Sequence, residues 1–175
     1  DADGNRYQLY ANIGGVADAR AALEAGAEGI GLFRTEFLFM DRSNLPTEAE
    51  QYDAYREVSE IMAGKEVIIR TLDVGGDKDI PYLGMEKEEN PFLGHRAIRY
   101  CLDRQDVFST QLRALLRAGA KHKNIKIMLP LVTGIEEVHA ARALLQQCKA
   151  DLQREGAEYD QDISLGVMIE TPAAS

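Results

Sequence analysis

The chain alternates short apolar runs with longer stretches in which apolar residues recur every three or four positions. Short apolar runs are typical of buried strands, and the three-to-four spacing is typical of amphipathic helices. Five runs predict strands at 7–13, 29–33, 67–74, 125–132 and 164–170. Helical patterns lie between them, and the third connection also holds a stretch, 75–96, that is too rich in glycine and proline for regular structure. Strands that alternate with helices indicate βαβ units around a parallel sheet.

Two of the predicted helices carry a start signal of the capping-box type, a threonine followed three residues later by glutamate. Thr47 and Glu50 predict a helix that ends just before Gly64. Thr133 and Glu136 predict the start of another helix in the same way. Both helices carry an apolar stripe at helical spacing, so each is expected to pack one face against the sheet.

The fold class is therefore α/β, and two parallel architectures compete. An open doubly wound sheet usually carries a GxGxxG turn after its first strand, and the segment ANIGGVADA matches that pattern poorly. A (β/α)8 TIM barrel places its chemistry at the carboxyl ends of several strands, which is where Arg34, Arg70 and Glu170 fall. We predict that residues 1–175 form an incomplete TIM barrel domain, with about five of the eight strands present.

An arginine ends two of the apolar runs, in GIGLFR and VIIR. A buried guanidinium is costly unless it meets an anion. In one hypothesis Arg34 and Arg70 form structural salt bridges, for which Glu36 and Asp73 are the obvious partners. In the other, both arginines face the same barrel mouth and share a ligand. The planar fork of a guanidinium matches phosphate and carboxylate oxygens, so a ligand with both groups would use two arginines.

Three further features accompany the arginines. Glu170 ends the fifth run, where its carboxylate can bind a hard metal such as Mg²⁺ or pair with an arginine. The segment GGDK (75–78) either faces a phosphate or forms a sharp turn. Arg96 follows the long connection and is weak evidence by itself.

Composition limits the class of partner. A chain of 175 residues with 45% hydrophobic and 28% charged positions is typical of a soluble globular domain. The formal net charge of -9 argues against nucleic acid, which binds clustered Lys and Arg. The chain shows neither a signal-peptide pattern nor an apolar stretch near the ~20 residues of a membrane span. Cys101 and Cys148 have no disulfide or metal-site spacing, so we expect reduced thiols and a cytoplasmic protein.

Six ordered blocks resemble Enzyme I of the phosphoenolpyruvate:sugar phosphotransferase system: GIGLFRTEFLFMDR, LPTEAEQYDAY, VIIRTLDVGGDK, ENPFLGHRAIR, QLRALLRA and GVMIETPAA. The resemblance runs from about Ala11 to the last residue. It implies a dimeric, Mg²⁺-dependent barrel that binds phosphoenolpyruvate, whose phosphoryl group passes to a histidine on a separate N-terminal domain and then to the carrier HPr. It implies phosphoenolpyruvate-binding roles for Arg34 and Arg70, and for Arg96 with less weight as a direct ligand. Glu170 matches a magnesium-binding glutamate.

Alternatives remain open beside this resemblance. Pyruvate phosphate dikinases and phosphoenolpyruvate synthases share the RTE block, so a barrel of that type is one alternative, and a non-catalytic anion-binding module is another. No histidine matches the phosphohistidine motif, and neither Cys101 nor Cys148 matches the cysteine that protonates the enolate. The resemblance thus places the catalytic groups outside these residues, and the isolated chain is expected to be inactive. Five strands would leave two sheet edges unpaired, which predicts a homo-oligomer.

Overall fold

A computed structural model describes residues 4–40, 42–75, 80–84, 90, 92 and 94–175 of the chain. These residues form an α/β structure on one five-stranded sheet. The strands are β1 (Tyr10–Ile13), β2 (Gly29–Arg34), β3 (Val67–Arg70), β4 (Ile125–Leu129) and β5 (Ser164–Val167). Every neighbouring pair is parallel and the sheet order is β1-β2-β3-β4-β5. Each strand therefore lies beside the strand that precedes it in the chain, and within the described residues the sheet does not close.

Helices fill the connections between consecutive strands, as the periodicity predicts. They are α1 (Val16–Glu24), α2 (Glu48–Ile61), α3 (Ile98–Asp103), α4 (Gln105–Gly119) and α5 (Ile135–Arg154). Helix α1 packs on α2, α2 on α4 and α4 on α5, so these four form a continuous layer. Among the residues that the structure describes, no helix has both the length and the apolar character needed to cross a membrane.

The core lies between this helix layer and one face of the sheet. Phe33 of β2 packs edge-to-face on Tyr55 of α2, with ring centroids 5.9 Å apart. Ile69 of β3 is fully buried in the same core. Because strand side chains alternate between the two faces, Arg34 and Arg70, which follow these residues directly, project to the face opposite the helices.

Four strands are shorter than their apolar runs predict, and one of them is β4, which ends at Leu129 although its run continues to 132. The run 7–13 pairs only from Tyr10, and the two apolar residues before it, Tyr7 and Leu9, are 68% and 72% exposed. The run 67–74 leaves the sheet after Arg70, although its remaining residues stay buried. The run 164–170 likewise leaves the sheet after Val167. The ends of an apolar run therefore do not fix the ends of a strand, because the chain after Arg70 is buried without pairing and the residues before Tyr10 are neither paired nor buried.

The start of α5 differs from the predicted capping box by one residue. The backbone N–H groups of Thr133 and Gly134 donate to Glu137 Oε2 at 2.6 and 3.1 Å, and Gly134 rather than Thr133 is the N-cap. The predicted partner, Glu136, is therefore wrong. A capping box needs its glutamate three residues after the N-cap, and that position belongs to Glu137 once the helix begins after Gly134.

The start of α2 confirms the other predicted capping box. Thr47 Oγ1 accepts from the backbone N–H of Glu50 at 3.2 Å, and the Glu50 carboxylate accepts from the backbone N–H of Thr47 at 2.7 Å. Arg42 donates to the same carboxylate at 2.5 Å. These contacts, led by the Thr47 N–H, lower the pKa of Glu50 from 4.5 to about 2.

This shift predicts how stability depends on pH. The folded-state pKa of Glu50 lies below its unfolded-state value, so the stabilisation is fully present above pH 4.5 and is lost as the pH falls toward 2. We expect Glu50→Gln to lower the midpoint of thermal unfolding at pH 6, and this difference from wild type to shrink as the pH is lowered through that window. Thermal unfolding followed by circular dichroism measures it. Glu24→Gln, which removes an exposed carboxylate from α1, is the control. A deficit for Glu50→Gln that is independent of pH would contradict the prediction.

Candidate functional site

Two arginines stand side by side at the carboxyl ends of neighbouring strands. Arg34, the last residue of β2, is the direct register partner of Arg70, the last residue of β3. The prediction that both lie at the same end of the sheet is confirmed. Paired residues of parallel strands project to the same face, so both side chains leave the sheet on the side away from the helices.

Arg70 is held in a buried arginine–carboxylate cluster, composed of Glu36, Arg70, Asp73 and Arg96. Arg70 Nη2 donates to Glu36 Oε1 at 2.9 Å, and Arg70 Nη1 lies 3.0 Å from Asp73 Oδ2. Arg96 Nη2 donates to Asp73 Oδ1 at 2.7 Å, so Asp73 bridges two guanidinium groups. The exposed fraction of these side chains is between 1% and 13%. Arg70 therefore forms ion pairs with both of the carboxylates that the salt-bridge hypothesis names.

Arg34 has a different environment. Its side chain is half-buried, and within the part of the chain that the structure describes it forms no ion pair with a carboxylate. Its Cζ lies 4.9 Å from the centroid of the Phe37 ring, a cation–π contact that leaves the positive charge unneutralised. The carboxylate two residues away, Glu36, is bonded to Arg70 instead.

All three predicted substrate-binding arginines keep one unsatisfied donor. The Nε atoms of Arg34, Arg70 and Arg96 are buried and have no hydrogen-bond partner among the described residues. An unpaired buried donor costs about 1–3 kcal/mol. Three of them at one edge of the sheet indicate a place suited to acceptor oxygens, as an anionic ligand would supply.

Glu170 lies at the same edge, three residues after the end of β5. Its Oε1 accepts from the backbone N–H of Leu131 at 2.8 Å, and it forms no ion pair with an arginine among the described residues. Arg70 Nη1 lies 3.9 Å from Met168 Sδ, which brings the arginine–carboxylate cluster close to the chain that leads to Glu170.

The donor chemistry around Glu170 suits a magnesium ion that is shared with a ligand. Within the described residues, no group of three or more histidine, cysteine, aspartate or glutamate side chains is arranged to hold a metal. Mg²⁺ is usually bound through one or two carboxylates together with substrate oxygens, so a single glutamate at this edge fits that mode and does not fit an all-protein cage.

A buried polar network behind the arginines was not predicted. Thr35 Oγ1 donates to the Arg70 carbonyl at 2.8 Å, and Gln111 Nε2 donates to Thr35 Oγ1 at 3.2 Å and to the Tyr55 hydroxyl at 3.1 Å. The backbone N–H of Leu72 donates to Gln111 Oε1 at 2.9 Å. The network ties the carboxyl ends of β2 and β3 to α2 and α4. The available signal was a glutamine on the otherwise apolar buried face of α4.

The GGDK segment and the two cysteines are the remaining features that the sequence singles out. Residues 76–78 of the GGDK segment lie outside the described residues, so only Gly75 can be placed. Both cysteines are buried with free thiols, and burial raises the pKa of Cys101 to about 12 and also raises that of Cys148. Buried protonated thiols are not nucleophiles.

Comparison with known proteins finds a matching family and related sequences. A family model described as the PEP-binding domain of PEP-utilising enzymes matches residues 1–175. The chain is 53% identical over 174 residues to a phosphoenolpyruvate-protein phosphotransferase of Priestia megaterium. It is 51% identical over 173 residues to proteins of the same name from Bacillus subtilis (strain 168) and Haemophilus influenzae. Each alignment covers 99% of this chain and 30% of the relative, so the chain spans about 30% of the length of these relatives. The resemblance that the six sequence blocks indicate is thereby confirmed.

Proposed function

The chain belongs to the PEP-binding domain family of PEP-utilising enzymes, and on this premise we propose that it is the phosphoenolpyruvate-binding part of a phosphotransferase. The observation that carries the proposal is Arg34, a half-buried guanidinium without a carboxylate partner in the described part, next to Arg70 at the carboxyl edge of the sheet. The proposed reaction moves the phosphoryl group of phosphoenolpyruvate to a histidine of the enzyme and then to HPr. The relatives carry the name of this activity, which favours it over a dikinase-type barrel.

The architecture we propose is an incomplete (β/α)8 barrel, with five of its eight strands in residues 1–175. Strands in chain order, all parallel and with helices on one face, are what such a barrel requires. The opposite face, which carries Leu32, Ile68 and Met128 as half-buried residues, would then line the barrel interior. The carboxyl edge, which holds the arginines, would be the catalytic face.

Charge supports phosphoenolpyruvate as the ligand. The arginine–carboxylate cluster contains two cations and two anions, so its formal charge is balanced, whereas Arg34 adds an uncompensated positive charge beside it. Phosphoenolpyruvate carries a phosphate and a carboxylate, and both groups match guanidinium forks. We propose that Arg34 and Arg70 bind these groups, while Arg96 acts mainly through Asp73.

The proposed mechanism is positioning and charge neutralisation. In phosphoryl transfer the protein contributes little covalent chemistry. Its main task is to position the reactants and to stabilise the charge on the equatorial oxygens of the transferred group. Arg34 and Arg70 would hold the phosphate and carboxylate groups in place while the phosphoryl group passes to the histidine and the pyruvate enolate leaves. Glu170 would hold a magnesium ion, which when bound supplies further positive charge to the phosphate oxygens. The cluster fixes Arg70, so little reorganisation is needed during the reaction.

The proposal extends to the whole protein that carries these residues. We propose a cytoplasmic homo-oligomer that receives phosphoenolpyruvate as donor and passes the phosphoryl group to HPr for sugar uptake. The histidine that is phosphorylated would lie outside residues 1–175.

Replacing Arg34 tests the function. In the intact protein that carries residues 1–175, we expect Arg34→Gln to raise the KM for phosphoenolpyruvate about 10- to 100-fold, since a charge-assisted contact contributes about 1.5–3 kcal/mol. Steady-state phosphorylation of HPr with Mg²⁺ present measures it. Arg20→Gln makes the same charge change on α1, where Arg20 is paired with Glu57, and is the control.

Two outcomes would contradict the proposed function. Equal KM values for wild type and Arg34→Gln would show that Arg34 is not a ligand of phosphoenolpyruvate. Wild-type protein that takes its phosphoryl group from ATP and not from phosphoenolpyruvate would support the dikinase-type alternative.

A further inference from the structure

An exposed aromatic residue lies against Arg34. Phe37 is in the 3₁₀ turn Thr35–Leu38 that follows β2, and 46% of its surface is exposed. Its ring centroid is 4.9 Å from Arg34 Cζ, within the range in which a guanidinium is attracted to an aromatic face. The ring therefore lies beside the arginine on which the proposed function rests.

A glycine on another loop leaves room for this ring. A Cβ atom added to Gly14, in the connection between β1 and α1, would lie 2.8 Å from Phe37 Cδ2 and 3.0 Å from Cε2. Cβ atoms are essentially never found closer than 3.0 Å to another heavy atom, so with the ring in this place only glycine fits at position 14 without a shift. The Gly14 N–H donates to Asp18 Oδ2 at 2.8 Å, which holds the loop in place. We call Gly14, Phe37 and Arg34 the Phe37 stack.

Arg34 needs such support because no carboxylate holds it. Arg70 and Arg96 are oriented by ion pairs with the buried carboxylates of their cluster, whereas Arg34 has no ion pair in the described part of the chain. An arginine side chain has high rotamer entropy, and fixing it costs binding free energy unless the protein has already ordered it. An aromatic face restricts the guanidinium without neutralising it, which leaves the charge available to an anion.

We infer that Phe37 is a positioning residue for Arg34, and that Gly14 is required because it makes room for the ring. This inference rests on the proposed function, since it assigns Phe37 to the binding of phosphoenolpyruvate through Arg34. It also explains why Phe37, a large apolar residue, is half exposed at the carboxyl edge of the sheet. If Phe37 were buried in the core, its ring would no longer contact Arg34.

The experiment uses three substitutions in the intact protein that carries residues 1–175. Phe37→Leu removes the ring and keeps apolar volume, Gly14→Ala displaces the ring, and Phe37→Tyr keeps the ring as the conservative variant. We expect Phe37→Leu and Gly14→Ala to raise the KM for phosphoenolpyruvate about three- to tenfold, and Phe37→Tyr to leave the KM at the wild-type value. In an Arg34→Gln background, Phe37→Leu should have no further effect, because the ring then has no cation to position.

Three other outcomes would contradict either the positioning role of Phe37 or the proposed function itself. If Arg34→Gln raises KM and neither Phe37→Leu nor Gly14→Ala does, the positioning role is wrong and the proposed function stands. If Phe37→Leu acts equally strongly in the Arg34→Gln background, Phe37 affects the site by another route and the inference is wrong. If Arg34→Gln itself leaves KM unchanged, the proposed function fails, and the inference fails with it.

Discussion

Replacing Asp73 with alanine is expected to lower the free energy of unfolding by about 3–5 kcal/mol. The Asp73 carboxylate is 7% exposed and bonds Arg70 with one oxygen and Arg96 with the other, at 3.0 and 2.7 Å. Its removal leaves the buried guanidinium groups of Arg70 and Arg96 with one carboxylate, that of Glu36. Among the described residues, Glu36 pairs with Arg70 and not with Arg96. An uncompensated buried charge costs far more than the net contribution of the intact pair.

Chemical denaturation by urea, followed by circular dichroism, measures this effect. The matched control is Glu57→Ala, which breaks the pair between Arg20 and Glu57, whose side chains are 61% and 42% exposed. Exposed ion pairs contribute about 1 kcal/mol at most, so the control should change the unfolding free energy little. Asp73→Asn keeps the shape of the side chain and some of its hydrogen bonds but not its charge. Its unfolding free energy is expected to lie between those of Asp73→Ala and Glu57→Ala. An Asp73→Ala variant no less stable than the control would show that the cluster does not depend on its bridging carboxylate.

The sequence predicted the order of strands and helices well, because burial and periodicity coincide in this chain. Tyr55 and Val58, on the apolar stripe of α2, are fully buried. The side chains of β4 alternate between the two faces of the sheet, with Ile127 buried and Lys126 exposed. Strand ends were predicted less well. Leu72 and Val74 are as apolar and buried as strand residues, yet β3 has already ended at Arg70. The six residues of α3 are too few to show a clear period, so the sequence did not fix its bounds or separate it sharply from α4.

The candidate site shows a different limit of sequence reasoning. The runs ending in Arg34 and Arg70 look alike, and Glu36 is only two residues from Arg34. In the structure the Glu36 carboxylate is bonded to Arg70, because the chain turns into a 3₁₀ helix directly after β2 and carries Glu36 toward β3. Which arginine is neutralised therefore depends on a backbone turn that the pattern of residue types does not encode. The role of Arg96 came from the family resemblance, and that of Glu170 came from its place at the end of an apolar run together with the resemblance; both remain proposals.

Gln111 does not lie among the arginines, but its buried side chain connects the backbone segments that carry them. Its side-chain amide makes three hydrogen bonds, to Thr35, Tyr55 and the backbone of Leu72, and the residue is 1% exposed. Thr35 directly follows Arg34 in the chain, and Leu72 lies two residues after Arg70. The amide thus joins the two backbone segments that carry the arginines, and it does so from α4, on the other side of the sheet from their side chains.

We therefore expect Gln111→Met, which keeps the length of the side chain and removes its polar atoms, to lower the free energy of unfolding by about 3 kcal/mol, since it leaves buried donors and acceptors without partners. Gln147→Met, on the exposed face of α5, is the matched control and should stay within about 0.5 kcal/mol of wild type. Native-state hydrogen exchange adds a local test, because the Leu72 amide loses its only acceptor in the described structure and should exchange faster in Gln111→Met. If the variant is destabilised and the Leu72 amide keeps its protection relative to neighbouring core amides, then Gln111 stabilises the protein through packing and does not hold the ends of β2 and β3 together.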